Sequence, residues 1–154
     1  MNYRTLTLFA LSGALAACSG EPAKPIKDYM AQDVQPTAEI YWNAVQFVSD
    51  ENGEHEIMPQ TDAEWADVAG AAAKLAEIGK DLKKPAYAEG RGAGWIDFAD
   101  GLIEVAGKAE DAAKAKDVDA VFEVGGTLYS VCSACHQAYP AESPEGAGDA
   151  TGAS

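Results

Sequence analysis

Between residues 26 and 140 the apolar positions fall into four blocks, each repeating every three or four residues, the spacing of one helix face. The first block runs from about Ile26 to Ser49, with Ile26, Met30, Val34, Tyr41, Ala44, Val45 and Val48 in series. Pro36 interrupts it, because proline lacks the amide donor and its ring clashes one turn back. The block therefore predicts a kinked helix, or two helices with the second starting near Pro36. Asp50 to Gln60 reads as a polar loop. The second block opens with Thr61-Asp62-Ala63-Glu64, a capping box in which Thr61 and Glu64 satisfy each other's free amides. Trp65, Val68, Ala72, Leu75, Ile78 and Leu82 follow as one stripe. Lys80, Lys83 and Lys84 suit the negative end of the helix dipole, and Pro85 marks the stop. The third block runs from about Ala93 to Lys116 with Trp95, Phe98, Leu102, Val105 and Ala109 on one face. Asp117 is a plausible N-cap for the fourth, which carries Val121, Phe122, Gly125, Leu128 and Val131 and ends before Pro140. No strand alternation and no internal repeat is visible. Four amphipathic helices with short connections predict an all-α fold, an antiparallel four-helix bundle over residues 26–140.

The ends of the 154-residue chain read differently. Met1 to Arg4 is short and weakly basic, and Leu6 to Ala17 is an apolar run too short to span a membrane, the shape of a secretory signal peptide. Leu15-Ala16-Ala17-Cys18 resembles the lipobox of bacterial lipoproteins. That resemblance implies cleavage of residues 1–17 and lipidation of Cys18, with acyl chains that anchor the protein to a membrane. Ser19, in place of an aspartate, implies outer-membrane sorting, on the periplasmic side. Residues 18–25 are then a lipidated tether, and the small, polar, glycine-rich residues 141–154 a disordered tail.

Charge narrows the partners. Loss of Arg4 with the leader makes the mature chain one unit more negative than the −14 of the whole sequence. Such a surface repels nucleic acid and steers basic partners toward it. The cysteines are Cys18, Cys132 and Cys135, too few for a disulfide framework once Cys18 is lipidated.

The remaining pair stands in Cys132-Ser133-Ala134-Cys135-His136. Cys-x-x-Cys-His is the attachment motif of c-type haem: two thiols at this spacing reach the two vinyl groups, and the next histidine is held beneath the iron as proximal ligand. Cys132 and His136 are four apart and share a helix face. A thioredoxin-like site would need a βαβ context, and a structural zinc site four ligands; neither is visible. Residues 137–154 contain no methionine or histidine, so a sixth ligand must come from upstream.

The motif near the end of the fourth helix, the phrase Val131-Cys-Ser-Ala-Cys-His-Gln-Ala-Tyr139, and Trp95 early in the third helix resemble the cytochrome c-prime family, the class II c-type group that includes cytochromes c556. The resemblance covers about residues 26–140 and implies a four-helix bundle carrying one haem c near the C-terminus of the fourth helix. Family members often carry an arginine soon after the histidine; Tyr139-Pro140 stands there instead, so no basic residue beside His136 is implied. The resemblance places Met30 near the first-helix position that ligates iron in the c556 type, where c-prime members hold an apolar residue and five-coordinate iron. Ordinary core filling is the other reading of Met30. Met58 and His55 reach iron only if the predicted loop folds over the haem. Trp95 resembles a family aromatic near the haem, Tyr129 and Tyr139 flank the motif, and Trp42, Tyr41 and Trp65 read as core. Gly125 and Gly126 allow either close approach or a weak point in the helix.

These readings predict an electron carrier with basic redox partners. The alternative is a binder of nitric oxide or carbon monoxide with an open distal site. A peroxidase would need distal acid–base groups, and after residue 17 the only arginine is Arg91; no enzyme is expected. The resemblance permits a homodimer, which the apolar pattern does not demand.

Overall fold

A computed structural model describes residues 23–51 and 53–141. The leader over residues 1–17, Cys18, the start of the tether and the tail beyond residue 141 lie outside the described residues. The fold is mostly helical with one small sheet. Its first helical unit is a rod in three parts: α1 (Ile26–Tyr29), a π-helical segment (Met30–Val34) and α2 (Gln35–Trp42), with right-handed helical backbone at both junctions. The Gln35 amide donates to the Met30 carbonyl, five residues back. Pro36 follows directly and has no amide to return to the preceding turn. Thr37 Oγ1 takes up the Asp33 carbonyl at 2.6 Å. The predicted break at Pro36 thus takes the form of one widened turn, a feature that recurs at functional sites.

The helix predicted as far as Ser49 ends at Trp42, and the predicted loop over residues 50–60 is largely strand. Strands β1 (Gln46–Asp50) and β2 (Gly53–Ile57) form an antiparallel hairpin that pairs Phe47 with Glu56, Val48 with His55 and Asp50 with Gly53. Gly53 sits at φ 116°, which a side chain would resist. The expectation of no strand is corrected here. Asn52-Gly53 is a strong hairpin dipeptide in the sequence, and Phe47 and Val48 favour strands through their bulk near the backbone.

Helix α3 (Asp62–Leu82) begins at the predicted capping box: the Glu64 amide donates to Thr61 Oγ1 at 3.2 Å, and the Thr61 amide donates to Glu64 Oε2 at 2.8 Å. Pro85 ends that helix and opens a short one, α4 (Pro85–Ala88). Helix α5 spans Ala93–Ala115. Helix α6 (Val118–Ala138) is capped by Asp117, whose Oδ1 accepts from the Ala120 amide at 3.0 Å.

α3 packs along α5, α5 along α6, and α2 against α3 and, more briefly, α6. Leu75, Ile78, Val121 and Leu128 are almost wholly buried between them. Tyr29 ties the first rod to α3 by donating to Asp81 Oδ2 at 3.0 Å, and stacks on Tyr87 with centroids 5.0 Å apart. Hydrogen bonds from Lys84 and Tyr29 hold the Asp81 carboxyl below its usual range. Among the described residues no helix is long and apolar enough to cross a membrane.

Candidate functional site

The last turns of α6 carry both internal cysteines. Cys132, Cys135 and His136 open onto one cavity of about 440 Å³, within the range of sites for small molecules and cofactors. Met30, Val34 and Ala38 of the first rod line it at four-residue steps, and Trp42 closes that side. Trp95, Phe98, Ala99 and Leu102 line it from α5, again at helical spacing. Polar groups are few: Gln35, Ser133 and Gln137 beside the histidine.

Both thiols are free. Burial pushes the Cys132 thiol above its ordinary pKa, with the neighbouring Cys135 adding to the effect. Burial also raises Cys135, opposed by the positive charge of Arg91. The thiol rather than the thiolate is therefore the resting form at neutral pH, so these cysteines are poor spontaneous nucleophiles. His136 is exposed at its outer edge while lining the cavity.

The α5 wall is held rigidly. Trp95 is buried, and its indole N–H donates to the Leu82 carbonyl at 2.7 Å. The Arg91 guanidinium lies 4.5 Å from the Trp95 ring centroid and donates through Nε to the Tyr87 carbonyl at 2.7 Å. The Tyr139 hydroxyl donates to the Arg91 carbonyl at 3.0 Å, while its ring meets Trp95 edge-on at 5.2 Å. The α4–α5 loop is thereby clamped to the end of α6, and it brings a cation near Cys135 from a part of the chain where the motif gave no sign of one.

Of the residues singled out in the sequence, Met30, Trp95, Tyr129, Cys132, Cys135 and His136 come together around this cavity. Cys18 lies outside the described residues. His55 sits on β2 with Nε2 4.0 Å from Asp50, and Met58 is partly buried against the core; neither lines the cavity. Tyr41 and Trp65 are core, as read. Trp42 is more than core: it forms part of the cavity wall and donates through Nε1 to the Gly125 carbonyl at 3.1 Å. Gly125 allows this approach, since a Cβ there would lie 3.6 Å from the Tyr41 ring and 3.7 Å from Trp42. Val34, which the sequence shows only as a stripe position, and Ala38 and Ala99 join the wall at helical steps from Met30 and Trp95.

Among the described residues no three of His, Cys, Asp and Glu cluster as metal ligands. No family model matches the chain, and no curated protein or solved structure matches it either.

Proposed function

We propose that the cavity holds one covalently attached haem c and that the protein is a membrane-tethered periplasmic electron carrier rather than an enzyme. The observation that supports this reading is that Cys132, Cys135 and His136 all open from the end of α6 onto one apolar cavity. Cys132 and Cys135 would hold the group through thioethers, and His136 would supply the proximal imidazole. When bound, the haem supplies a one-electron iron couple. The chain's own residues set the conditions. Phe98, Leu102 and Val34 exclude water, and Trp95, pinned to Leu82, fixes one wall. Met30, presented on the widened turn, would be the sixth ligand, and Tyr129, also on the cavity wall, would pack against the group. The finer architecture proposed is an antiparallel four-helix bundle made of the first rod, α3, α5 and α6. Lipidated Cys18 would tether it to the outer membrane, and its acidic surface would select basic redox partners.

The test is optical: spectra of the mature protein, oxidised and reduced, with and without carbon monoxide, for wild type and Met30→Ala. A low-spin wild type that ignores carbon monoxide, and a Met30→Ala variant that binds it, support the carrier with Met30 as ligand. A high-spin wild type that takes up carbon monoxide overturns the Met30 assignment and puts gas binding first. A protein with no haem spectrum overturns both.

A further inference from the structure

The hairpin contributes little to the core: β2 is exposed over all five residues. What it does instead is extend the outer face of α6. Phe47 of β1 meets Phe122 of α6 edge-on, centroids 4.9 Å apart, yet the two remain 46% and 53% exposed. One and two turns further along the same face of α6 lie Gly126 and Tyr129, the latter 63% exposed and also part of the haem-cavity wall. Between Phe122 and Tyr129 runs a groove of about 250 Å³, with buried Gly125 and Tyr41 at its base and exposed Gly126 at its edge. A Cβ at Gly126 would meet nothing within 4 Å.

The elements that carry the two phenylalanines are acidic. Glu54 and Glu56 stand on the Phe47 face of the hairpin, because Glu56 is paired with Phe47 and Glu54 with Ser49. Asp119 lies one turn before Phe122, and Glu123 follows it. No lysine or arginine occurs from residue 43 to 60 or from 117 to 154. Elsewhere lysines neutralise carboxylates, as in Lys84–Asp81, Lys108–Glu104 and Lys116–Asp62. Among the described residues none of Glu54, Glu56, Asp119 and Glu123 is in an ion pair.

We infer that the hairpin and the outer face of α6 are the docking surface for a basic protein partner, which seats a lysine or arginine side chain in the groove between Phe122 and Tyr129. The aromatic faces attract the cation, the glycine base admits its alkyl stem, and the surrounding carboxylates steer the approach. The surface abuts Tyr129, so a partner bound there stands beside the cavity. Its purpose rests on the carrier reading above; its binding does not.

The test is calorimetric titration of the full mature protein, held in nanodiscs of zwitterionic, net-neutral phosphatidylcholine, with a small c-type cytochrome of high isoelectric point as probe. Binding is expected at low salt and to fade as salt rises. The double variant Glu54→Lys/Glu56→Lys should weaken it about tenfold or more. Gly126→Leu, which fills the groove at an open helical position, should weaken it about fivefold, or 1 kcal/mol. Glu104→Lys on α5 should change it less than twofold. Absence of binding overturns the proposal, as does an equal loss in Glu104→Lys. A Gly126→Leu variant that binds normally overturns the cation seat. Concentration-dependent dimerisation abolished by Gly126→Leu would make a second copy the occupant and overturn the basic partner. Because heat rather than electron transfer is read, a haem-loaded protein that fails to bind ends this proposal alone. A haem-free protein that binds ends the carrier reading alone.

Discussion

α3 and α5 meet through small residues with no space to spare, whereas α6 and the first rod face each other partly across a cavity. In the first region Ala72, Ala106, Ala109 and Ala113 are fully buried, and a Cβ added at Gly79 would come within 2.6 Å of Ile103 Cγ1 and 3.1 Å of the Ala99 carbonyl. Lysines pair with carboxylates along these helices. In the second region only Val121, Gly125 and Leu128 of α6 are buried, the first rod contains a π turn, and the facing side chains line open volume. The contrast separates two uses of an amphipathic helix. α3 and most of α5 turn their apolar faces to each other and supply stability; the last turns of α6, the first rod and the opening turns of α5 turn theirs to a cavity and supply a site.

Substitutions can break this contrast. The largest effect is expected at Leu75, buried in α3: Leu75→Ala should cost about 2–5 kcal/mol in denaturant unfolding. Phe98→Ala, at a half-buried position on the cavity wall, should cost less than half as much. Equal losses would mean that the cavity wall carries as much stability as the α3–α5 seam. Next, Gly79→Val should lower stability by about 1–3 kcal/mol through overpacking. Gly126→Ala, in the open region, should raise it by about 0.5–1 kcal/mol through helix propensity. Two helical glycines with the same sign of change would remove the distinction between the regions. The smallest effect is at the start of α3. Backbone amides of Gln60 and Thr61 hold the Glu64 carboxyl below its usual 4.5. A lowered carboxyl stabilises the fold above that value and loses its contribution as the pH falls through the folded-state pKa. Thermal midpoints of wild type and Glu64→Gln should therefore differ at pH 7 and converge in acid; a gap that widens in acid would contradict the capping role.

How much of this was legible depended on range. The starts of α3 and α6 were readable because Thr61, Glu64 and Asp117 act on amides three residues away. Cys132, Cys135 and His136 were readable because the three lie within five residues of one helix, so their spacing is local. The hairpin was not read, since Val45 and Val48 fit helical spacing from Tyr41 and short apolar runs satisfy both periods. Asn52-Gly53 was the signal that should have decided it. The role of Trp42 was hidden for another reason. A side chain facing a cavity and one facing a neighbouring helix occupy the same stripe, and only tertiary placement separates them. Pro36 predicted a kink or a second helix start, and the structure has instead a π turn just before it, at Met30–Val34.

The most direct test of the central claim is the intact mass of the mature protein made in a host that attaches c-type haem, compared with Cys132→Ser/Cys135→Ser. The account predicts a wild type heavier by one haem that survives denaturation, and a double variant without it. A wild type at the polypeptide-plus-lipid mass, with Cys132 and Cys135 both open to alkylation once unfolded, would contradict it.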